Sequence, residues 1–212
     1  MTVIASDIAL QLLQIKAIKL NPQKPFTWAS GLKSPIYCDN RLTLSFPVVR
    51  RAIRDGLANL TREFGIVETV AGVATAGIPH GTLLADKMDL PFIYVRSKKK
   101  SHGKQNLIEG SYDKGTRAIV VEDLISTGKS SIAAVKALEE AGIEVEALIS
   151  IFTYNLGISR KNLKDANVNH DSLTNYETLI EIAAKEGFIN SSDLKSLEEW
   201  RENPQKWSEE HS

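Results

Sequence analysis

The sequence holds a single cysteine, Cys38, among its 212 residues. No intrachain disulfide can form, which suits a reducing compartment. Cys38 itself is expected to be a small, half-buried residue rather than a reactive thiol. Charge of one sign is also missing: Lys plus Arg and Asp plus Glu are both 26, a formal net charge of +0. With no global field drawing the chain to nucleic acid or an anionic membrane, any anion site must come from local arrangement. No segment approaches the roughly 20 apolar residues a membrane span needs. The start, MTVIASDIALQLLQIKAI, lacks a basic n-region and a continuous apolar run, so it reads as an amphipathic helix rather than a signal peptide. Internal repeats, low-complexity tracts and linkers long enough to split the chain are absent as well. These absences predict one cytoplasmic domain with no nucleic-acid or membrane partner, divided into an N-terminal part to about residue 45, a core over about 46–155 and a helical tail from about 156.

Ile4, Ile8, Leu12 and Ile15 mark one face of a first helix, which Asn21-Pro22 closes. FTWASGLKSPIYCDNR (Phe26 to Arg41) mixes aromatics with Gly31 and Pro35 and reads as a short β-hairpin, a hood outside the main sheet. Ser45 is placed to cap a helix from Phe46 to about Phe64, with Pro47 in its first turn. Apolar runs at Val67–Ala74, Pro91–Arg96, Ala118–Asp123 and Val145–Phe152 predict strands, the last of these being the final strong one. Helices are predicted from Ile78 to Met88, from Ser130 to Ala141 (stopped by Gly142), and in the tail at Tyr176–Lys185 and Ser192–Trp200. Runs this continuous, alternating with helices, argue for a parallel α/β sheet covered on both faces. The last ten or so residues are expected to be disordered.

Between Arg96 and Arg117, SKKKSHGKQNLIEGSYDKG has few apolar residues, three glycines and the cations Lys98, Lys99, Lys100 and Lys104 around His102. A polar insertion of this length in an α/β domain reads as a mobile, anion-seeking loop.

The segment Val120-Val121-Glu122-Asp123-Leu124-Ile125-Ser126-Thr127-Gly128-Lys129-Ser130 runs from an apolar strand through two acids and a small-residue turn into a helix. Ligands of open parallel sheets bind beyond the carboxyl ends of strands, and a turn at a helix N-terminus offers backbone N–H groups to an anion. Gly128-Lys129-Ser130 also matches the end of a Walker A loop, but the first glycine of that pattern would fall on Asp123, a carboxylate facing the phosphates it should cradle. Two acids beside a phosphate cradle instead suit a ribose 5-phosphate, with carboxylates on the 2′ and 3′ hydroxyls and turn amides on the phosphate. The segment resembles the motif by which type I phosphoribosyltransferases bind 5-phosphoribosyl 1-pyrophosphate (PRPP).

Three further stretches resemble orotate phosphoribosyltransferases: the hood Phe26–Arg41, the pyrophosphate loop Gly72–Gly81 and the catalytic loop Arg96…Lys100-Ser101-His102-Gly103. The resemblance implies the type I phosphoribosyltransferase fold, a central parallel sheet flanked by helices with a hood and a long mobile catalytic loop. It implies transfer of ribose 5-phosphate from PRPP to orotate, with Mg²⁺ bound mainly through PRPP and no direct protein ligand. It also implies a homodimer whose catalytic loop is shared across subunits. Lys100, His102 and Asp123 are the catalytic candidates. Arg96, Lys100, His102, Glu122, Asp123, Leu124, Ile125, Ser126, Thr127, Gly128, Lys129 and Ser130 are the PRPP candidates. Ser126 is the orotate contact the resemblance suggests.

The chain departs from many members at Ala29 and Ala76, where lysines are frequent, and at Phe152-Thr153-Tyr154, where an arginine is frequent. Arg41 and Lys33 are the hypothesised substitutes for holding the orotate carboxylate. A purine phosphoribosyltransferase is the nearest rival, but it needs no cations for a ring carboxylate. A regulator that kept the fold would call for a basic face or a DNA-binding module, which the balanced charge does not offer. His80 is equally suited to face the site or to serve structure, Trp200 and Trp207 read as packing residues or exposed tail aromatics, and His170 and His211 are assigned nothing.

Overall fold

β-branched runs that must hide both faces need helices above and below them. A computed structural model of the chain, describing residues 3–28, 30–97 and 107–211, arranges them that way. In chain order the elements are α1 (Val3–Gln14), β1 (Ile18–Leu20), β2 (Phe26–Thr27), β3 (Lys33–Ser34), β4 (Ile36–Cys38) and a 3-10 turn (Asn40–Ser45). Then come α2 (Pro47–Thr61), β5 (Thr69–Val73), α3 (Gly77–Met88), β6 (Phe92–Val95), β7 (Ile108–Glu109), β8 (Arg117–Ile125) and α4 (Lys129–Glu140). The chain finishes with β9 (Glu144–Thr153), α5 (Gly157–Asp165), β10 (His170–Asn175), α6 (Tyr176–Lys185), α7 (Leu194–Glu202) and α8 (Pro204–Glu210).

The main sheet has six strands in the order β10-β9-β8-β5-β6-β7, parallel throughout except for the β6–β7 edge pair. Side chains alternate along β8: Ile119 and Val121 join a core with α1, α2, α3 and α6, while Ala118 and Val120 join a second core with α4 and α5. All four are fully buried, as a central strand with both faces covered requires. The hood stands apart as two small antiparallel pairs, β1 with β4 and β2 with β3.

Several boundaries differ from the sequence expectation. α1 ends at Gln14, before Asn21-Pro22, where the left-handed Lys16 (φ 59°) turns the chain into β1. Its buried face is Ile8, Ala9, Leu12 and Leu13, while Ile4 is exposed. Ser45 closes the 3-10 turn instead of capping α2; Phe46 is the N-cap, makes no side-chain bond, and leaves Pro47 to start the helix. Val145–Phe152 is not the last strand, because β10 pairs in parallel with β9. β10 was hidden by its polar sequence, HDSLTN: it is an edge strand of which only Leu173 and Thr174 are buried. The polar insertion is not loop throughout, since Ile108 is buried and β7 pairs with β6. Lys98, Lys99, Lys100, Ser101, His102, Gly103 and Lys104 lie outside the described residues, as does Ala29. The C-terminal end is helical rather than disordered, because α8 buries Trp207.

Candidate active site

β8 outreaches its neighbour β5. Its partner β5 stops at Val73, whereas β8 continues beside β9 to the Leu124–Phe152 and Ile125–Thr153 pairs. The step exposes the carboxyl end of β8, where Glu122 and Asp123 stand. α3 approaches from the side of β5, and Gly77 permits the approach: a Cβ there would lie 2.3 Å from the Val121 carbonyl oxygen. The Thr75-Ala76-Gly77 loop therefore rests directly against the start of the acid pair.

Glu122 is only 6% exposed. Its Oε1 accepts from the Asp123 amide at 3.1 Å and its Oε2 from Ser131 Oγ at 3.4 Å. Burial, and then the neighbouring Asp123, push Glu122 up to about 9. Burial raises Asp123 as well, against the opposing pull of Glu122 and of the Arg41 charge. Burial thus favours the protonated form of both carboxyls, and the two titrate as a unit. From behind, Asn40, itself fully buried, donates from Nδ2 to the Asp123 carbonyl at 2.7 Å. His80 is buried close by: loss of water pulls its imidazole down to about 4, opposed by the Asn40 backbone, so the ring is neutral. Asn40 and Ser131 were not singled out from the sequence. A single Asn in the hood and a Ser one turn into α4 carry no signal until the chain folds.

After Ile125 the backbone turns through Ser126, Thr127 and Gly128 into α4. Gly128 is the N-cap with φ 77°, a left-handed conformation that glycine adopts without strain. No side chain caps α4, so the first-turn amides are left to an external acceptor. Asn162 Nδ2 on α5 donates to the Thr127 carbonyl at 2.9 Å and fixes the turn. Lys129 and Ser130 are exposed on the first turn, while Leu124 and Ile125 build the strand beneath the turn.

A cavity of about 530 Å³ opens on the hood side of this turn. The hood contributes Thr27, Trp28, Ser30, Tyr37 and Cys38; the core contributes Leu124, Ser126 and Tyr154. Trp28 and Tyr154 stack with ring centroids 5.5 Å apart, giving flat apolar walls. Burial, with Asp123 and Asp39, pushes the Cys38 thiol well above its usual range, in keeping with a packing role. Ser126 belongs to both the turn and the cavity, so the two subsites adjoin.

Lys33 and Arg41 do not line this cavity, and no described lining residue is charged. Arg41 is instead clamped to Asp39, with Nε to Oδ1 at 2.6 Å and Nη2 to Oδ2 at 3.0 Å. Lys33 lies at the rim, its Nζ donating to Thr27 Oγ1 at 3.0 Å. Arg96, past the end of β6, is held by Glu109 at 3.3 Å. The structure thus brings together Glu122, Asp123 and the Ser126–Ser130 turn, sets Arg96 at the edge, and leaves Lys100 and His102 outside the described residues.

The profile of a family described as "Phosphoribosyl transferase domain" matches residues 45–182. An orotate phosphoribosyltransferase from Listeria monocytogenes is 54% identical over 205 residues, covering 96% of this chain and 98% of that protein. One from Bacillus cereus is 56% identical over 199 residues, covering 93% and 95%. The chain belongs to the orotate phosphoribosyltransferase family. A solved orotate phosphoribosyltransferase from Aeropyrum pernix superimposes with a TM-score of 0.74 at 28% identity, covering 86% of this chain and 99% of that one.

Proposed function

We propose that this chain transfers ribose 5-phosphate from PRPP to orotate, releasing pyrophosphate and giving orotidine 5′-monophosphate for pyrimidine synthesis. One observation carries the reading: the cavity for a flat ring and the turn for a phosphate meet at Ser126, with two carboxylates on the end of β8 just before the turn. A ribose 5-phosphate spanning them presents its anomeric carbon to a base lying in the cavity against the stacked Trp28 and Tyr154 rings.

Glu122 and Asp123 accept hydrogen bonds from the ribose hydroxyls. As the bond from the anomeric carbon to pyrophosphate lengthens, the ribose gains oxocarbenium character, and these carboxylates stabilise it. Ribose hydroxyls and the cationic charge of the bound complex replace lost water and favour the ionised carboxylates. The α4 amides and the Thr127 and Ser130 hydroxyls hold the 5′-phosphate. Arg96, Lys100 and His102 neutralise the departing pyrophosphate, with the loop excluding water from the reacting carbon. Ser126 contacts the orotate ring. Lys33 at the cavity rim is the cation we assign to the orotate carboxylate; Arg41, whose charge is felt by Asp123, acts on the acid-pair side.

Mg²⁺ is the metal this chemistry calls for, since it binds substrate phosphates while keeping several waters and supplies positive charge at the leaving group. Glu122 and Asp123 would offer their carboxylates to ribose hydroxyls and to metal-bound water at this position. We further infer a cytoplasmic enzyme, because both substrates are charged and do not cross membranes unaided; no helix among the described residues is long and apolar enough to span one. A homodimer fits the exposed Leu42, Phe46 and Val48, which cluster in sequence beside the acid pair's hood contact.

The deciding assay follows orotate by ultraviolet absorbance with PRPP present and Mg²⁺ added or chelated. Loss of orotate only when both are present is the expected result. Turnover of a purine base with orotate untouched would refute the pyrimidine assignment.

A further inference from the structure

The profile shared with other phosphoribosyltransferases stops at residue 182, and the segment after it carries no residue of the ribose or phosphate subsites. That segment nevertheless reaches the hood. β2 and β3 have two residues each, too few for a hairpin to hold its own shape. Their support comes from the C-terminal helices. The Lys33 amide, on β3, donates to Ser208 Oγ on α8 at 2.8 Å, and Gln23 Nε2 donates to Asp193 Oδ1 before α7 at 2.9 Å.

Trp200 on α7 forms the centre of this support. It is fully buried and sets its ring edge-on to both walls of the cavity, to Trp28 at 5.7 Å and 80° and to Tyr154 at 5.5 Å and 78°. Tyr176 lies against it at 5.2 Å, and the Tyr176 hydroxyl donates to the Leu197 carbonyl at 3.0 Å, fixing α7 on α6. Trp28 has one polar tether of its own, from Nε1 to the Ile36 carbonyl at 3.1 Å. Trp200, which does not line the cavity, is therefore packed edge-on against both of the stacked rings that wall it. By contrast, the phosphate turn is braced by Asn162 and Leu163 on α5, with no contact to α7 or α8 among these bonds.

We propose that α7 and α8 form a specificity-determining buttress in which Trp200 is a positioning residue for the pyrimidine, holding the stacked Trp28 and Tyr154 rings in place as an apolar wall of the cavity, while Ser208 anchors the hood hairpin. The inference rests on the reading that the cavity takes the orotate ring. It separates two affinities: the C-terminal segment tunes the base, and the β8–α4 turn binds PRPP independently of it.

The test measures the KM for orotate, the affinity for Mg²⁺-PRPP, and thermal unfolding for the full chain and for Trp200→Ala, Trp200→Phe and Ser208→Ala. Trp200→Ala should raise the orotate KM about tenfold or more while PRPP affinity stays within about twofold. Trp200→Phe should recover most of that loss, because a phenyl edge still contacts both walls. Ser208→Ala, which removes one hydroxyl, should raise the orotate KM a few-fold with PRPP affinity unchanged, and it decides the matter if Trp200→Ala does not fold. A parallel loss of orotate and PRPP affinity, or a lowered Tm with both constants intact, would overturn the inference. A wild-type chain that consumed no orotate would overturn the function on which it rests, a separate outcome visible before any variant is made.

Discussion

Glu122 shows how one residue's environment carries the site. Its carboxyl is held at about 9 by burial and by Asp123, far above the usual carboxylate range. The folded chain therefore binds more protons than the unfolded chain between the ordinary carboxylate value and about 9, and stability of the unliganded protein falls as pH rises through that window. His80 acts in the opposite sense: held down to about 4, it makes the folded state bind fewer protons below its ordinary value, so stability also falls on acidification from near neutrality towards pH 4. Thermal unfolding followed from pH 5 to 9 should show the alkaline decline in the wild type and a flatter profile in Glu122→Gln. The same variant should lose roughly a hundredfold in kcat, because an amide cannot offset oxocarbenium charge. A second residue-scale prediction concerns Lys33. Lys33→Ala should raise the orotate KM roughly tenfold and leave PRPP binding unchanged, as loss of one charge-assisted contact at the rim would; an unaltered orotate KM would remove Lys33 from the site. The sequence offered Lys33 and Arg41 as equivalent cations. Only the fold shows that Arg41 is committed to Asp39 while Lys33 stays beside a cavity residue.

At the scale of elements, the approach of α3 to β8 decides whether the acid pair is correctly presented. Gly77 is the contact point, and its Cβ would meet a backbone oxygen that has no flexible end to move aside. Gly77→Ala should force α3 outward, lowering stability by about 1–3 kcal/mol and reducing turnover, which calorimetry and the orotate assay would read together. A variant with unchanged Tm and rate would show that α3 can shift without disturbing the site. Elements were legible in the sequence where burial was two-sided: the apolar runs of β5, β8 and β9 and the amphipathic α4 and α6 stand close to their expected limits. β7 and β10 were not, because an edge strand needs only one apolar residue in two or three, and HDSLTN has the composition of a loop. α8 escaped for a related reason: its seven residues are mostly polar, and Trp207 becomes a core residue only through the neighbouring α7 and hood.

At the scale of the whole molecule, a hood, a twisted parallel sheet and a C-terminal buttress converge on one edge. Beside that edge, Leu42, Phe46 and Val48 are 39%, 42% and 68% exposed, an apolar face suited to a second copy of the chain. On the proposed homodimer, Val48→Glu should shift sedimentation toward the monomer and, with the loop sharing that the family resemblance implies, depress activity in parallel. An unchanged sedimentation coefficient would place the dimer face elsewhere. The sequence by itself determined the α/β alternation and the eleven-residue ribose-phosphate segment, because both are local: hydrophobic period sets the elements, and contiguous acids, small residues and glycine set the turn. What only the tertiary structure decided was long-range. The upward shift of Glu122 and Asp123 arises from burial, and the pairing of Asn40 with Asp123 joins residues 83 positions apart. The bracing of the hood by Ser208 spans 175. Desolvation and distance between remote residues exist only once the chain has closed on itself, and neither is written in any local run of residues.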